Sequence, residues 1–126
     1  MKTIIQTNNA PAPIGPYNQA VQVGNILYTS GQVALNPATG NLEMESIETE
    51  TEQVMKNLNA ILTAANTSFD NVVKTTIFIT DMANFSRINT VYGKYFDEAT
   101  APARETVQVA GLPRGVNIEI SMMAIV

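Results

Sequence analysis

The chain has 126 residues, 45% of them hydrophobic, and a net charge of −4 with neither cysteine nor histidine. That length suffices for one packed core and is short for two, so residues 1–126 are expected to form a single domain. The composition excludes disulfides, thiolate nucleophiles, serine-histidine and cysteine-histidine hydrolysis and the usual zinc sites, and an acidic chain is poorly suited to nucleic acid, whose backbone demands a basic surface.

The opening residues, MKTIIQTNNAPAP, contain no apolar run of signal-peptide length, and no stretch approaches the roughly 18 apolar residues of a membrane span. The expectation is a soluble, cytoplasmic protein with no membrane partner. TIIQT reads as a short strand. NNAPAPIGPY follows with three prolines and a glycine, which impose an extended, shaped loop. NQAVQV and ILYTSGQVAL then flank Gly24-Asn25, the two-residue spacing of a β-hairpin with glycine at the first turn position. Ser30-Gly31 interrupts the second of these strands, as a bulge or a close backbone approach would. Residues 36–40 form a turn in which Gly40 takes positive φ.

Ile47, Val54, Leu58, Ile61, Leu62 and Ala65 recur on one face of a helix, with Ser46 as its N-cap and Asn66 as its stop. Glu43, Glu45, Glu48, Glu50 and Glu52 supply five of the eleven carboxylates, and are expected to be solvated near the first turn, where negative charge suits the helix dipole. VVKTTIFIT, residues 72–80, is rich in β-branched residues and apolar on both faces, so it reads as a central strand. Phe85, Ile88, Tyr92, Tyr95 and Phe96 share one face of a second helix. Two strands joined by AGLPRGV close the chain as a hairpin. This order implies an α+β fold, a sheet of about six strands with two helices on one face. Two helices cover only one side of such a sheet, so a second copy of the chain is expected to bury the other in a symmetric oligomer.

Alternation puts Arg104, Thr106 and Gln108 on one side of the first closing strand, and Glu119 and Ser121 on one side of the second, opposite Ile118 and Ile120. Paired as a hairpin, these strands would have one apolar and one polar side. Small hydrogen-bonding groups around a single guanidinium resemble an anion pocket: arginine holds a carboxylate by two parallel charge-assisted bonds, each about 1.5–3 kcal/mol when screened from water. Glu119 would then be the nearby carboxylate able to act as general base. An Arg104–Glu119 surface ion pair, about 0–1 kcal/mol, explains the same pattern. Tyr17 could point its hydroxyl from the proline-rich loop into a site or serve as an ordinary amphipathic tyrosine, and Asn89 on the second helix could line a site or satisfy a backbone group. Neither glycine-rich stretch has the spacing of a phosphate loop.

APIGPYNQAV, GNILYTSGQVALNPATG, VVKTTIFITDMANFSRIN and APARETVQVAGLPRGVNIEI, in this order and spacing, resemble the RidA/YjgF family of enamine/imine deaminases over essentially the whole chain. The block running from P-A-R through V-x-V-A to I-E-I is the most specific part. The resemblance implies a chorismate-mutase-like α+β fold, a homotrimer with ligand clefts between subunits, and no metal or organic cofactor. It also implies hydrolysis of 2-iminobutanoate and 2-iminopropanoate, products of pyridoxal-phosphate dehydratases, to 2-oxo acids and ammonia. By position, Arg104 would grip the substrate carboxylate and Glu119 would activate water. Tyr17 would be the loop tyrosine, Ser30 and Gly31 the strand bulge at the cleft, and Asn89 the helix asparagine lining it. Many family members have Ser-Cys after the arginine, whereas this chain has Glu105-Thr106. Thr106 keeps a small polar group toward the ligand, and Glu105 should face the other way and pair with a cation. A non-enzymatic regulator that binds small acids in the same cleft is the alternative; a ribonuclease or translation inhibitor, a role attached to some relatives, fits poorly with the acidic charge and absent histidine.

Overall fold

Six segments pair into one mixed sheet in the computed structural model, which describes residues 1–126. In chain order the elements are β1 (Thr3–Ile5), β2 (Ala20–Val23), β3 (Ile26–Thr29), α1 (Ile47–Ala64), β4 (Val72–Ile79), α2 (Phe85–Tyr92), β5 (Ala103–Gln108) and β6 (Ile118–Ile125), and the sheet order is β1-β2-β3-β6-β4-β5. Gly24, at a φ of 59°, turns β2 into β3, and Gly40 at 77° closes the turn after them. The α+β fold with a six-stranded mixed sheet and two helices is therefore the one expected.

One expected pairing is absent. β5 and β6 do not form a hairpin, because β4 lies between them, parallel to β5 and antiparallel to β6. The strand–helix–strand unit β4–α2–β5 is the usual way to connect parallel neighbours. Residues 109–117 then cross the end of β4, pinned there by the Val109 N–H donating to the Ile79 carbonyl at 2.8 Å and the Thr80 N–H donating to Asn117 at 3.1 Å. Alternation along the two strands was correct, but their neighbours were not.

α1 begins where the Ser46 hydroxyl accepts from the Thr49 N–H at 3.1 Å, and it ends before Asn66, which adopts a φ of 59°. Its buried residues Val54, Met55, Leu58, Ile61 and Leu62 pack against Ile77, Ile79, Ile118 and Ile120, all on one side of the sheet. Burying each such side chain contributes about 1.5–3 kcal/mol, which makes this interface the main source of stability. On the opposite side no helix covers the strands, and Val23, Tyr28, Val107 and Ile125 stand 36 to 47% exposed.

Glu50 departs from the expected solvated acidic turn. It is fully buried, and its carboxylate accepts from the Asn117 N–H at 2.7 Å, the Asn117 side-chain amide at 2.8 Å and the Ile118 N–H at 3.2 Å. Three donors offset the desolvation of the charge and tie the first turn of α1 to the start of β6. Glycine and irregular pairing also act where Ser30-Gly31 was expected to bulge. β3 pairs with β6 up to Tyr28 opposite Met123, and pairing resumes at Gln32 opposite Ile120, so four steps on one strand match three on the other. The extra residue is the bulge.

Candidate functional site

The bulge and the proline-rich loop enclose a cavity of about 420 Å³ beside the uncovered side of the sheet, lined among others by Ile14, Tyr17, Ser30, Gly31, Pro113 and Glu119. Its roof is held by buried Gln19, whose side chain accepts from the Thr7 N–H at 2.8 Å and donates to the carbonyls of Thr7 and Pro11 at 2.9 Å and of Ala10 at 3.2 Å. Prolines cannot donate backbone hydrogen bonds, so a side chain supplies the ties that fix this loop. The floor is held by Asn57 of α1, which donates to the carbonyls of Val33 and Leu35 at 3.0 and 2.9 Å. The Ser30 hydroxyl donates to the Asn18 carbonyl, joining roof to bulge. Tyr17 accepts from the Ile14 N–H at 3.4 Å, so its own phenolic proton is free for a ligand.

Glu119 reaches this cavity from β6 because residue 31 has no side chain. A Cβ on Gly31 would fall 2.4 Å from a Glu119 carboxylate oxygen. The Glu119 carboxylate lies against the bulge without an ion pair, and burial raises its pKa above the ordinary carboxylate value. A carboxylate whose charged form is poorly solvated is a stronger base than one in water.

Arg104 lies elsewhere. It pairs in register with Thr75, whereas Glu119 pairs with Phe78, and residues 75 and 78 point to opposite sides of β4. Arg104 therefore extends toward the helix side. There its Nη1 donates to Asn89 Oδ1 at 2.7 Å, and its guanidinium carbon stands 5.0 Å from the centre of the Tyr92 ring and 5.7 Å from that of Phe85. No carboxylate pairs with it. Two residues along β5, the Thr106 hydroxyl is buried with no hydrogen-bond partner. Glu105, as expected, faces the other side, where it pairs with Lys74 at 2.7 Å and accepts from Thr76. Those contacts, the Lys74 bond first, lower its pKa.

The seven residues singled out in the sequence thus form two clusters on opposite sides of one sheet. Tyr17, Ser30, Gly31 and Glu119 come together at the cavity; Arg104 and Asn89 meet beside α2, with Thr106 on the same side of β5. The expectation that Glu119 is the carboxylate nearest Arg104 fails within one chain, and so does the surface ion pair between them, because β4 separates their strands. Sequence reasoning missed Gln19, Pro113, Phe85 and Tyr92. For Gln19 no pattern marked it. Phe85 and Tyr92 were placed on one face of the second helix without a role, although their spacing of seven residues, with Asn89 between, puts all three on that face.

The fold and this pair of clusters define a small α+β protein with a carboxylate and a cation presented on different faces. The family described as Endoribonuclease L-PSP matches residues 7–126. The chain is 54% identical over 121 residues to a protein of Lactococcus lactis subsp. lactis that carries the name of a regulator, AldR, covering 96% of this chain and 95% of that one. It is 47% identical over 125 residues to the 2-iminobutanoate/2-iminopropanoate deaminase of Mus musculus, covering 99% and 92%. The solved structure of E. coli TdcF with bound serine matches with a TM-score of 0.92 at 41% identity over 98% of each chain. The chain belongs to the RidA/YjgF family, the same family as Endoribonuclease L-PSP, and has its chorismate-mutase-like fold.

Proposed function

We propose that this protein hydrolyses reactive enamines and imines, 2-iminobutanoate and 2-iminopropanoate, to 2-oxo acids and ammonia, in clefts between the subunits of a homotrimer. The observation that carries the reading is the division of the site: a guanidinium held only by neutral groups on one face and a half-buried carboxylate without an ion pair in a cavity near the other. Two copies packed side by side would bring one chain's Arg104 to another chain's Glu119, and the uncovered apolar side of the sheet is suited to such packing. The deaminase relative at 47% identity supports the chemistry, and the serine bound in TdcF supports a ligand of amino-acid size.

In this reading Arg104 holds the substrate carboxylate by two parallel hydrogen bonds, with Asn89 fixing the guanidinium and the Thr106 hydroxyl donating to the same anion. The iminium carbon is already electrophilic. Glu119 takes a proton from a water whose oxygen bonds to that carbon, and it returns the proton to nitrogen. The C–N bond then breaks as the hydroxyl gives its remaining proton to Glu119 and the C–O bond becomes a carbonyl, and the leaving ammonia takes that proton away as ammonium. An enamine first gains a proton at C3, for which Tyr17 or a water is the donor. Neither a metal nor an organic cofactor enters this sequence. The substrates are the unstable products of pyridoxal-phosphate dehydratases, which are the functional partners.

The protein mixed with a threonine dehydratase and threonine should accelerate release of 2-oxobutanoate, and Arg104→Ala should remove the acceleration. A folded sample without effect would refute the reading. The regulator's name on the 54% identical relative favours a second one, in which the cleft binds small 2-oxo or amino acids without turning them over. Carboxylate binding by calorimetry with no turnover would select it.

A further inference from the structure

Arginine side chains have four rotatable bonds and lose considerable freedom when ordered, so a guanidinium held in one place needs several contacts. For Arg104 these contacts close a triangle. The register of β4 and β5 sets Thr75 directly beside Arg104. The buried Tyr92 hydroxyl donates to Thr75 Oγ1 at 3.0 Å, which fixes the Tyr92 ring relative to β4. The ring in turn stands 5.0 Å from the guanidinium. Phe85 and Asn89 complete the same face of α2, one ring further back and one carbonyl oxygen at 2.7 Å. Every one of these partners is neutral. Aromatic faces attract a cation through the ring quadrupole without neutralising it as a carboxylate would, so the positive charge is oriented yet still available to an anion.

We infer that Tyr92 and Phe85 are positioning residues whose rings hold the Arg104 guanidinium in a neutral aromatic cradle and so set the affinity of this protein for the carboxylate of its ligand. The inference rests on the reading of Arg104 as the carboxylate-binding group and assigns work to Tyr92, a residue of the core, and to half-buried Phe85. Tyr92 and Phe85 touch no reacting atom. Their loss should weaken binding and leave the chemical step alone.

The test compares Tyr92→Phe, Tyr92→Leu and Phe85→Leu with the wild type by calorimetry with 2-oxobutanoate, by KM and kcat in the coupled dehydratase assay, and by the proton resonances of the Arg104 side chain. Tyr92→Phe keeps the ring and should stay within about twofold of wild type in affinity, whereas Tyr92→Leu should raise Kd and KM about tenfold with kcat within about twofold. Phe85→Leu, at a less buried position, should raise them about threefold and guards against poor folding of the Tyr92→Leu protein. The Arg104 resonances should carry a ring-current shift in the wild type and in Tyr92→Phe, and lose most of it in Tyr92→Leu. Folded leucine variants that bind as tightly as wild type, or whose kcat falls with KM unchanged, overturn the inference alone. A wild type that shows the ring-current shift but binds no 2-oxo acid overturns the functional reading together with the inference built on it.

Discussion

The two sides of the sheet treat their charged residues in opposite ways. Beside α2, Arg104 is surrounded by an amide oxygen and two aromatic rings, so its position is fixed while its charge lacks a counter-ion. At the bulge, Glu119 is placed by the absence of a side chain at residue 31, and burial makes its proton harder to lose. Elsewhere on the sheet, Glu105 simply pairs with Lys74. The contrast teaches that a charge left without its partner in the chain is the informative one: in the proposed function, two such groups on opposite faces are the two parts of a site shared between chains.

The largest effect should come from the base. Glu119→Gln keeps the shape of the side chain and removes its basicity, and kcat should fall about 10²–10⁴-fold with little change in carboxylate affinity by calorimetry. Arg104→Ala should do the reverse, weakening 2-oxobutanoate binding by about a hundredfold or more through loss of two charge-assisted hydrogen bonds. If each variant lowered kcat and affinity alike, the division of labour between the two sides would be wrong.

Gly31→Ala comes next. The added methyl would sit 2.4 Å from the Glu119 oxygen, so the carboxylate must turn away, and activity should drop about tenfold while Arg104-dependent binding persists. The pH profile sharpens the same point. Because burial raises the Glu119 pKa, the acid limb of kcat should lie above the ordinary carboxylate value of about 4.3, with activity falling as pH drops through it. The sign for stability is opposite: the folded state holds this proton more tightly than the unfolded one, so stability should decline as pH rises from the unfolded value to the raised one. Glu119→Gln should abolish that decline in a thermal-melting series.

How far the sequence led is seen in the same residues. Helical periodicity located α1 with Ser46 and Asn66 at its ends, and the glycine within a strand located the bulge, because both signals are local. Alternation correctly assigned Arg104 and Thr106 to one side of β5 and Glu119 to one side of β6. It could not say which strands are neighbours. Residues 109–117 looked like a hairpin connection, but they span the end of β4, and the insertion of that strand puts the two polar rows on opposite sides. Glu50 was misread for a related reason: its position in an acidic run is visible, whereas the two N–H groups and one side-chain amide that hold it lie 67 and 68 residues away.

The smallest effect should come from Glu105→Gln. Its carboxylate pairs with Lys74 on the side away from Arg104, so removal of its charge should leave 2-oxobutanoate affinity and kcat within about twofold of wild type. A large gain in affinity would mean that Glu105 competes for Arg104 after all.

The most direct test of the shared cleft is to mix two disabled proteins. Arg104→Ala and Glu119→Gln are each expected to be nearly inactive in the coupled dehydratase assay. After co-expression in equal amounts, about one interface in four would join an intact Arg104 face to an intact Glu119 cavity, and about a quarter of the wild-type activity should return. A mixture that assembles into hybrid oligomers and remains as inactive as its parents would contradict a site built from two chains.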